Sequence, residues 1–489
     1  MTLYYFLRWS ILLGTGLLIY GQAFQFDFVF DDITFITHNF YIRDFSHIPW
    51  MWHFFPMTRL VGTYSFALNY YFNQLHPQGY HIFNFIVHLV SVGLVWALAG
   101  LLFKITKISE DRLTKELPFM IAVLFLVHPG QTQAVTYIAQ RFESMATVFY
   151  LGTMYCYLCA RLSKRGRHKV ILFGLSGLLT ILGIMTKETV ITVPLMMLAS
   201  EWILFPRKDY TRFYIVLAVG GVLLYMLFTR LVHSDLSIFS RSIPSESHGG
   251  DVLTPVGYFL TQMRVFLTFL RLLALPVHQN LDYDYPASSG LLHPPLTLVG
   301  LSVICGIIFL IIKLRRKVPL IAFGLAWMLI TFSINLVPRA NVIFEHKLYL
   351  ISFGYFLALV AALSILVRNR GALVWILLGM VTVLGVVSFQ RNKVWRNEFT
   401  LWDDTVRESP NKARPYNNRG GAYSNQGNLT GALSDYNRAI EINPDYDRNK
   451  LANIYINRAI TGIKQGNTAQ AMSDFTKAYQ YQQKTNDER

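Results

Sequence analysis

Eleven apolar runs, each near the ~20 residues a helix needs to cross a bilayer, recur between residues 7 and 389. They fall near 7–25, 80–103, 117–129, 143–161, 169–186, 189–205, 213–232, 293–312, 318–337, 344–367 and 371–389. A chain of 489 residues with this pattern, 53% hydrophobic and only 15% charged, is a polytopic membrane protein, and an ordinary soluble domain is excluded. The expected fold class is all-α, a polytopic membrane helical bundle. The third run is short and ends at His128-Pro129, where proline stops a helix. The first run lacks a small-residue cleavage site and continues into aromatic residues, so it reads as a retained helix rather than a signal peptide.

The net charge of +16 does not point to nucleic acid, because the cations lie in short loops between apolar runs. KITKISEDRLTKE (104–116), RLSKRGRHK (161–169), FPRKDYTR (205–212), KLRRK (313–317) and RNR (368–370) are all basic and share one face. Positive loops stay in the cytoplasm. The opposite face then carries 26–79, 130–142, 233–292, 338–343 and everything after 390, and an odd span count places the N-terminus inside. The segment 252–275 is apolar enough to cross but carries Gln262, Arg264 and Arg271. A crossing there would move KLRRK outside, so it reads as an interfacial helix on the outer surface. Cys156 and Cys159 share one apolar run and Cys305 another, which reads as core packing rather than metal or redox chemistry.

After Gln390 the apolar runs stop, dividing the chain into 1–390 and 391–489. Residues 391–409 are amphipathic, with Trp395 and Trp402 on one stretch. Residues 413–444 then follow the tetratricopeptide pattern, with Gly420, Tyr423, Gly427, Ala432, Tyr436, Ala439 and Pro444 at the expected offsets. A second copy carries Ala459, Gly462, Gly466, Ala471, Phe475 and Ala478, shifted by 39 residues, with about five residues inserted around DYDRN. Two repeats are fewer than the roughly three that usually stand alone, so the tryptophan helix is expected to cap them. Such an array either holds a polypeptide in its groove or braces the outer face.

Polar residues concentrate on that outer face. Asp31 and Asp32 lie in QFDFVFDDITFITHN, just past the first run. An ionised pair near hydrocarbon is costly and needs a reason. It is either a capping or interfacial pair or a membrane-facing general base. With it come His38, Arg43, Arg59, Asn69, His76, His81 and Asn84, then His128, Gln131, Gln133, Gln140, Arg141 and Glu143. Lys187 and Glu188 follow where two apolar runs abut, then Asp282, Tyr283 and Asp284, and finally Arg339 with Glu345, His346 and Lys347. Cations beside a carboxylate pair at one membrane surface suit a reaction on a phosphorylated lipid. Arg and Lys would grip the phosphate, and a carboxylate would take the proton of an incoming hydroxyl. His81, Gln133, Lys187, Glu188, Asp282, Asp284 and Glu345 are the candidates for further substrate contacts. Each has a plainer reading: an arginine that snorkels to headgroups, a histidine that packs at the interface, or Lys187-Glu188 as an ion pair at a helix end. No His-Glu-x-x-His spacing marks a metal site.

The text also resembles a family. Arg59, Ser65-Phe66-Ala67-Leu68-Asn69-Tyr70, Gly79-Tyr80-His81, Asn84 and His88 are similar to the first-loop text of the transmembrane and tetratricopeptide-repeat O-mannosyltransferases and their bacterial relatives. The acid pair, HPxxTxAV (128–135), the Lys-Glu pair and the Glu-x-x-Leu-Tyr-Leu stretch (345–350) match in the family's order. Leu60 stands where the family has proline after the arginine, and Gln133 where it often has glutamate.

The resemblance implies a GT-C membrane glycosyltransferase of about eleven transmembrane helices with a helical repeat tail. Such an enzyme moves a sugar, here expected to be a hexose such as mannose, from a polyprenyl phosphate to a protein Ser/Thr hydroxyl. By analogy Asp31 is the base, with Asp32 orienting it or binding the acceptor, although coupled titration leaves the reverse assignment open. Arg59, Arg141, Lys347 and His346 are the implied donor-phosphate residues, stabilising the leaving group. No cofactor is required on this reading, although Asp31, Asp32 and a further acid would suit Mg²⁺ or Mn²⁺. The partners implied are the polyprenyl-phosphate sugar, an acceptor protein held by the repeats, and membrane lipid. A bacterial inner membrane with periplasmic repeats is the expected setting. The rivals are a glycosyltransferase for a lipid or polysaccharide, and a non-enzymatic scaffold or transporter. A transporter should show inverted repeats and helices broken at mid-membrane.

Overall fold

The computed structural model describes residues 2–47, 57–107, 114–205, 221, 243–244, 252–442 and 448–487. The fold is all-α. The one strand pairing among these residues is the two-residue contact of Ile243–Pro244 with Val252–Leu253. The membrane part contains helices α1 (Thr2–Tyr20), α2 (Leu60–Asn73), α3 (Pro77–Ile105), α4 (Leu117–Val127), α5 (Arg141–Leu162), α6 (Gly166–Ile184) and α7 (Val193–Leu204). It continues with α8 (Pro255–Ala274), α9 (Leu296–Leu314), α10 (Pro319–Phe332), α11 (Leu348–Leu366) and α12 (Arg370–Asn392). As the sequence suggests, α4 ends at Val127, just before His128-Pro129.

Eight stretches, rather than the expected eleven, are long and apolar enough to cross a membrane among the described residues, with α4 as a shorter apolar helix. The expected span 213–232 lies, but for residue 221, outside the described residues, as do 443–447, which take in Pro444 and part of the inserted segment. Runs 143–161 and 189–205 are helical but fall outside the eight. The first carries Thr, Ser and Cys between neighbours that hide them, and α7 is only 12 residues long. Segment 252–275 forms α8, which meets the length and composition of a span. Two of its polar side chains reach loop atoms: Gln262 donates to the Val342 carbonyl (2.9 Å) and Arg264 to that of Pro286 (3.0 Å).

Exposure orders the bundle. Only about a fifth of the apolar window is buried in α1, α6, α9 and α12, against 61–67% in the stretches containing α10 and α11. The first four are therefore an outer ring facing lipid, and the last two are interior. Helices α10 and α11 cross at Gly324 and Gly354, where a Cβ on Gly324 would lie 2.5 Å from the Gly354 carbonyl oxygen. Cations gather at one end of the bundle, where Arg8 pairs with Glu116, Arg161 with Glu201, and Arg315 reaches the Trp202 carbonyl. Helix α5 starts at Arg141 and ends at Leu162, about 30 Å away at 1.5 Å per residue. The polar loops collect at the far end. There Ser388 donates to the Val127 carbonyl (2.6 Å), Gln22 to that of Phe389 (2.7 Å) and Asn392 to that of Ile19 (3.0 Å), tying α12 to α1 and α4.

Beyond α12 come α13 (Glu398–Glu408), α14 (Ala413–Asn425), α15 (Leu429–Ile442), α16 (Arg448–Lys464) and α17 (Thr468–Asp487). The last four form two helical hairpins, turned at Gly427 (φ +81°) and Gly466 (φ +87°), a backbone region that favours glycine. The repeat also shows in the ion pairs: Arg419 with Asp435 (2.8 Å) recurs as Arg458 with Asp474 (2.6 Å). Helix α13 has two faces. Phe399 meets Tyr423 of the repeats, while Leu401 and Trp402, with Trp395, enter an apolar cluster with Phe26, Val29 and Tyr137.

Candidate active site

The chain leaves α1 through a 3-10 turn (Gly21–Gln25) and reaches Phe30, whose φ is +52°. A bulky L-residue in that region costs about 1–2 kcal/mol and persists only where surroundings hold it. Here the Phe30 amide donates to Glu398 Oε1 (2.6 Å), and its ring stands edge-on to Trp402 with centroids 5.2 Å apart. The next amide, of Asp31, donates to the Tyr137 hydroxyl (3.1 Å). Asp32 closes the loop from inside. Its Oδ2 accepts from the Val29 amide (3.1 Å) and its Oδ1 from the Ala139 amide (2.6 Å), and the residue is 1% exposed. Burial pushes the Asp32 carboxyl well above the usual carboxylate range, against the pull of those two amides. Burial likewise raises Glu398. The adjacent acids therefore part company: Asp31, half-buried, lines a cavity of about 190 Å³, and Asp32 lies beneath it.

The other walls of the cavity include Arg59, Gln133, Gln140, Lys187, Arg339, His346 and Lys347. Arg59 precedes α2 and lies over the Phe142 ring, 5.1 Å from its centroid. Lys187 follows α6, 2.9 Å from Glu143 and 3.2 Å from Gln140 Oε1. Glu188 joins Arg59 (3.3 Å) to Arg339 (2.8 Å). Burial pushes its carboxyl up, but Arg59, Arg339 and Lys187 together hold it well below the usual range. His346 and Lys347 lie on a 3-10 turn before α11, where the His346 amide donates to Gln133 Oε1. Lys347 Nζ, Arg59 Nη1 and His346 Nδ1 are buried with no hydrogen-bond partner among the described residues. Four basic side chains, Arg59, Lys187, Arg339 and Lys347, stand against the two carboxylates of Glu143 and Glu188, so basic groups outnumber acids on the walls facing Asp31. Buried donors left unpaired at such cost mark a place for an anion. Among the described residues, no three His, Cys, Asp or Glu side chains group as metal ligands.

The cavity thus gathers Asp31, Arg59, Gln133, Lys187, His346 and Lys347, with Glu188 pairing the arginines. Other candidates lie elsewhere. Arg141 is fully buried, donating to Asn84 Oδ1 (2.6 Å) and to the carbonyls of Ser65 (3.2 Å) and Tyr80 (3.0 Å), and it binds α2 and α3 to α5 rather than lining the cavity. His81 Nε2 meets the Phe26 carbonyl under the acid loop (3.2 Å). Glu345 accepts from Gln279 (2.8 Å), from the Asn280 amide and from the Tyr283 hydroxyl (2.6 Å). Asp282 takes Lys412 and Arg414 of the repeat segment, and the Asp284 amide donates to Ser409 Oγ (3.0 Å). Burial pushes Asp282 up, but those two cations hold it below its ordinary value. Arg339 and Tyr137 are cavity residues that the sequence pattern did not single out as site residues. Arg339 had a signal: an isolated arginine between two apolar runs, just before Glu345-His346-Lys347.

Comparison with known proteins agrees with the motifs. The tetratricopeptide repeat model matches residues 413–446. Protein O-mannosyl-transferase F38B6.6 of Caenorhabditis elegans is 25% identical over 478 residues, 90% of this chain and 63% of the relative. The chain resembles the TMTC O-mannosyl-transferases. TMTC3 of Homo sapiens is 25% identical over 499 residues, 89% of this chain and 51% of its own length. Tmtc3 of Drosophila melanogaster is 26% identical over 527 residues, 91% of this chain and 56% of the relative. The chain spans between half and two-thirds of the length of these relatives. No solved structure matches it.

Proposed function

We propose that this chain is a glycosyltransferase that moves a hexose, such as mannose, from a polyprenyl phosphate to a Ser or Thr hydroxyl of a protein. The observation that carries this is Asp31 facing Arg59, Lys187, Arg339 and Lys347 across one small cavity, with only Glu143 and Glu188 to pair them. The acceptor hydroxyl gives its proton to Asp31 as its oxygen bonds to the anomeric carbon. The bond from that carbon to the phosphate oxygen breaks, and the electron pair leaves with polyprenyl phosphate. One displacement inverts the anomeric centre. The donor is a monoanionic diester and the leaving group a phosphate monoester that gains negative charge. Arg59, Lys187, Arg339 and Lys347 therefore interact more strongly with the transition state than with the ground state, which is what accelerates a reaction. In this reading the lysine and arginine charges act where a divalent ion acts in other transferases, and the names of the relatives favour mannose and a protein acceptor.

The basic loops favour a cytoplasmic setting for the opposite end of the bundle, and this reading has the cavity and repeats face the periplasm of a bacterial inner membrane. The repeats receive the acceptor protein. The test is hexose transfer by the purified full chain in lipid nanodiscs, from polyprenyl-phosphate mannose to an unfolded protein substrate, read by intact mass. A mass increment of one hexose, absent with Asp31→Asn, is expected. Transfer to glycolipid alone would move the acceptor to the lipid class, and a well-folded protein that hydrolyses or transfers no donor would refute the enzyme reading.

A further inference from the structure

Several contacts join the tail to the membrane part, among them the Asp27 amide on the Arg396 carbonyl (3.1 Å), Asn280 on Ser409 Oγ (2.7 Å) and His278 beside Glu408 (3.2 Å), and two of the attachments land beside cavity residues. Glu398 and Trp402 of α13 hold Phe30, the residue before Asp31, in its left-handed conformation. Lys412 and Arg414, at the start of the first repeat, grip Asp282. The same loop continues through Asn280 and Tyr283 to Glu345, two residues before Lys347. A tail that was merely tethered could attach anywhere on the outer loops. These two bracket the cavity, one meeting its acid side and the other its cation side.

We infer that α13 and the first repeat are positioning elements of the reacting centre, with Glu398 the positioning residue for Asp31. Glu398 does not touch the cavity. It accepts the Phe30 amide with one oxygen and the Trp402 indole N–H with the other, so its carboxylate sets both the backbone turn and the ring that packs on it. Without it, Phe30 relaxes toward negative φ and the Asp31 side chain turns with the peptide plane. The inference rests on Asp31 acting as the base. It also goes further: the polypeptide-binding repeats become mechanically continuous with the site of bond formation, so a polypeptide seated on them bears on the geometry of both charges.

The test uses the full chain in nanodiscs with a short peptide acceptor. Amide hydrogen exchange over residues 27–33 reads the clamp directly, and kcat against donor KM reads its consequence. Glu398→Ala is expected to speed exchange at the Phe30 and Asp31 amides. It should lower kcat roughly 10- to 100-fold, the order expected for a misplacement near 1 Å, with donor KM within twofold of wild type. Glu398→Gln keeps an oxygen for the Phe30 amide but loses the acceptor of the Trp402 indole N–H, so it should restore slow exchange at Phe30 and recover kcat in part. Faster exchange with unchanged kcat, or unchanged exchange in a folded Glu398→Ala, overturns the inference. So does a loss confined to acceptor KM, which would make α13 a docking element only. Asp31→Asn, run in parallel, separates the failures. Turnover surviving there overturns the base assignment and the clamp's purpose with it. Turnover lost there but kept in Glu398→Ala overturns the clamp alone.

Discussion

Replacing Asp31 and Asp32 one at a time by asparagine separates chemistry from architecture at neighbouring positions. A positioned general base contributes roughly 10²–10⁴-fold. Asp31→Asn should lower kcat by that factor, about 3–5 kcal/mol of transition-state stabilisation at 1.36 kcal/mol per decade. The loop itself should survive, because the Asp31 amide still donates to Tyr137 and Glu398 still holds Phe30. Asp32→Asn acts differently. Two backbone amides, of Val29 and Ala139, donate to its two oxygens in a site that is 1% exposed. Asparagine offers one carbonyl oxygen and one NH₂, so one amide loses its acceptor. An unsatisfied buried amide costs about 1–3 kcal/mol, enough to lower the thermal midpoint by a few degrees while residual turnover remains. Hexose transfer in nanodiscs beside thermal unfolding followed by tryptophan fluorescence measures both. A folded Asp31→Asn with wild-type kcat, or an Asp32→Asn that loses turnover at an unchanged midpoint, would refute the assignment.

Three further outcomes are expected. Lys347→Met removes a buried amino group without a hydrogen-bond partner, so it should cut kcat/KM about 10-fold or more while leaving the thermal midpoint unchanged or raised; a lowered midpoint with full turnover would contradict this. Glu188, held low by Arg59, Arg339 and Lys187, should stabilise the fold fully above its unfolded pKa of about 4.3 and lose that contribution only as pH falls toward its depressed value. The midpoint difference between wild type and Glu188→Gln should thus be flat from pH 8 to 5 and shrink below about 4, whereas growth on acidification would reverse the sign. Gly324→Ala puts a Cβ 2.5 Å from the Gly354 oxygen and must push α10 from α11, costing about 1–3 kcal/mol in unfolding experiments; a neutral effect would show that the helices separate freely.

Much of the fold was legible because its signals are local. Apolar runs of spanning length, proline at residue 129 and the repeat offsets each need only a window of residues, and those that fall on described residues correspond to helices or helix ends. Span number was less legible. Helix α5 hides its polar groups among neighbours, and α8 turns Gln262 and Arg264 onto loop carbonyls, so hydropathy misjudges how each meets lipid. In the cavity, Asp31, Arg59, Gln133, Lys187, His346 and Lys347 converge from distant segments as the residue types suggested. Arg141 and Arg339 were indistinguishable by type, yet one is buried between helices and the other lines the cavity. Glu345, Asp282 and Asp284 lie in loops at the same end of the bundle as the cavity, but Glu345 and Asp282 bond to neighbouring loops and the repeat segment.

Composition and periodicity, taken alone, establish an all-α membrane chain with basic loops on one side, a helical repeat tail and an acid pair past its first helix. Those properties follow from residue type and spacing, which act over a few turns of backbone. Which acid of the pair meets the cavity is decided by partners far along the chain: Ala139, 107 residues from Asp32, and Glu398, 368 residues from Phe30. Facing depends on what packs against each side chain, and only the assembled helices bring those partners within hydrogen-bond distance.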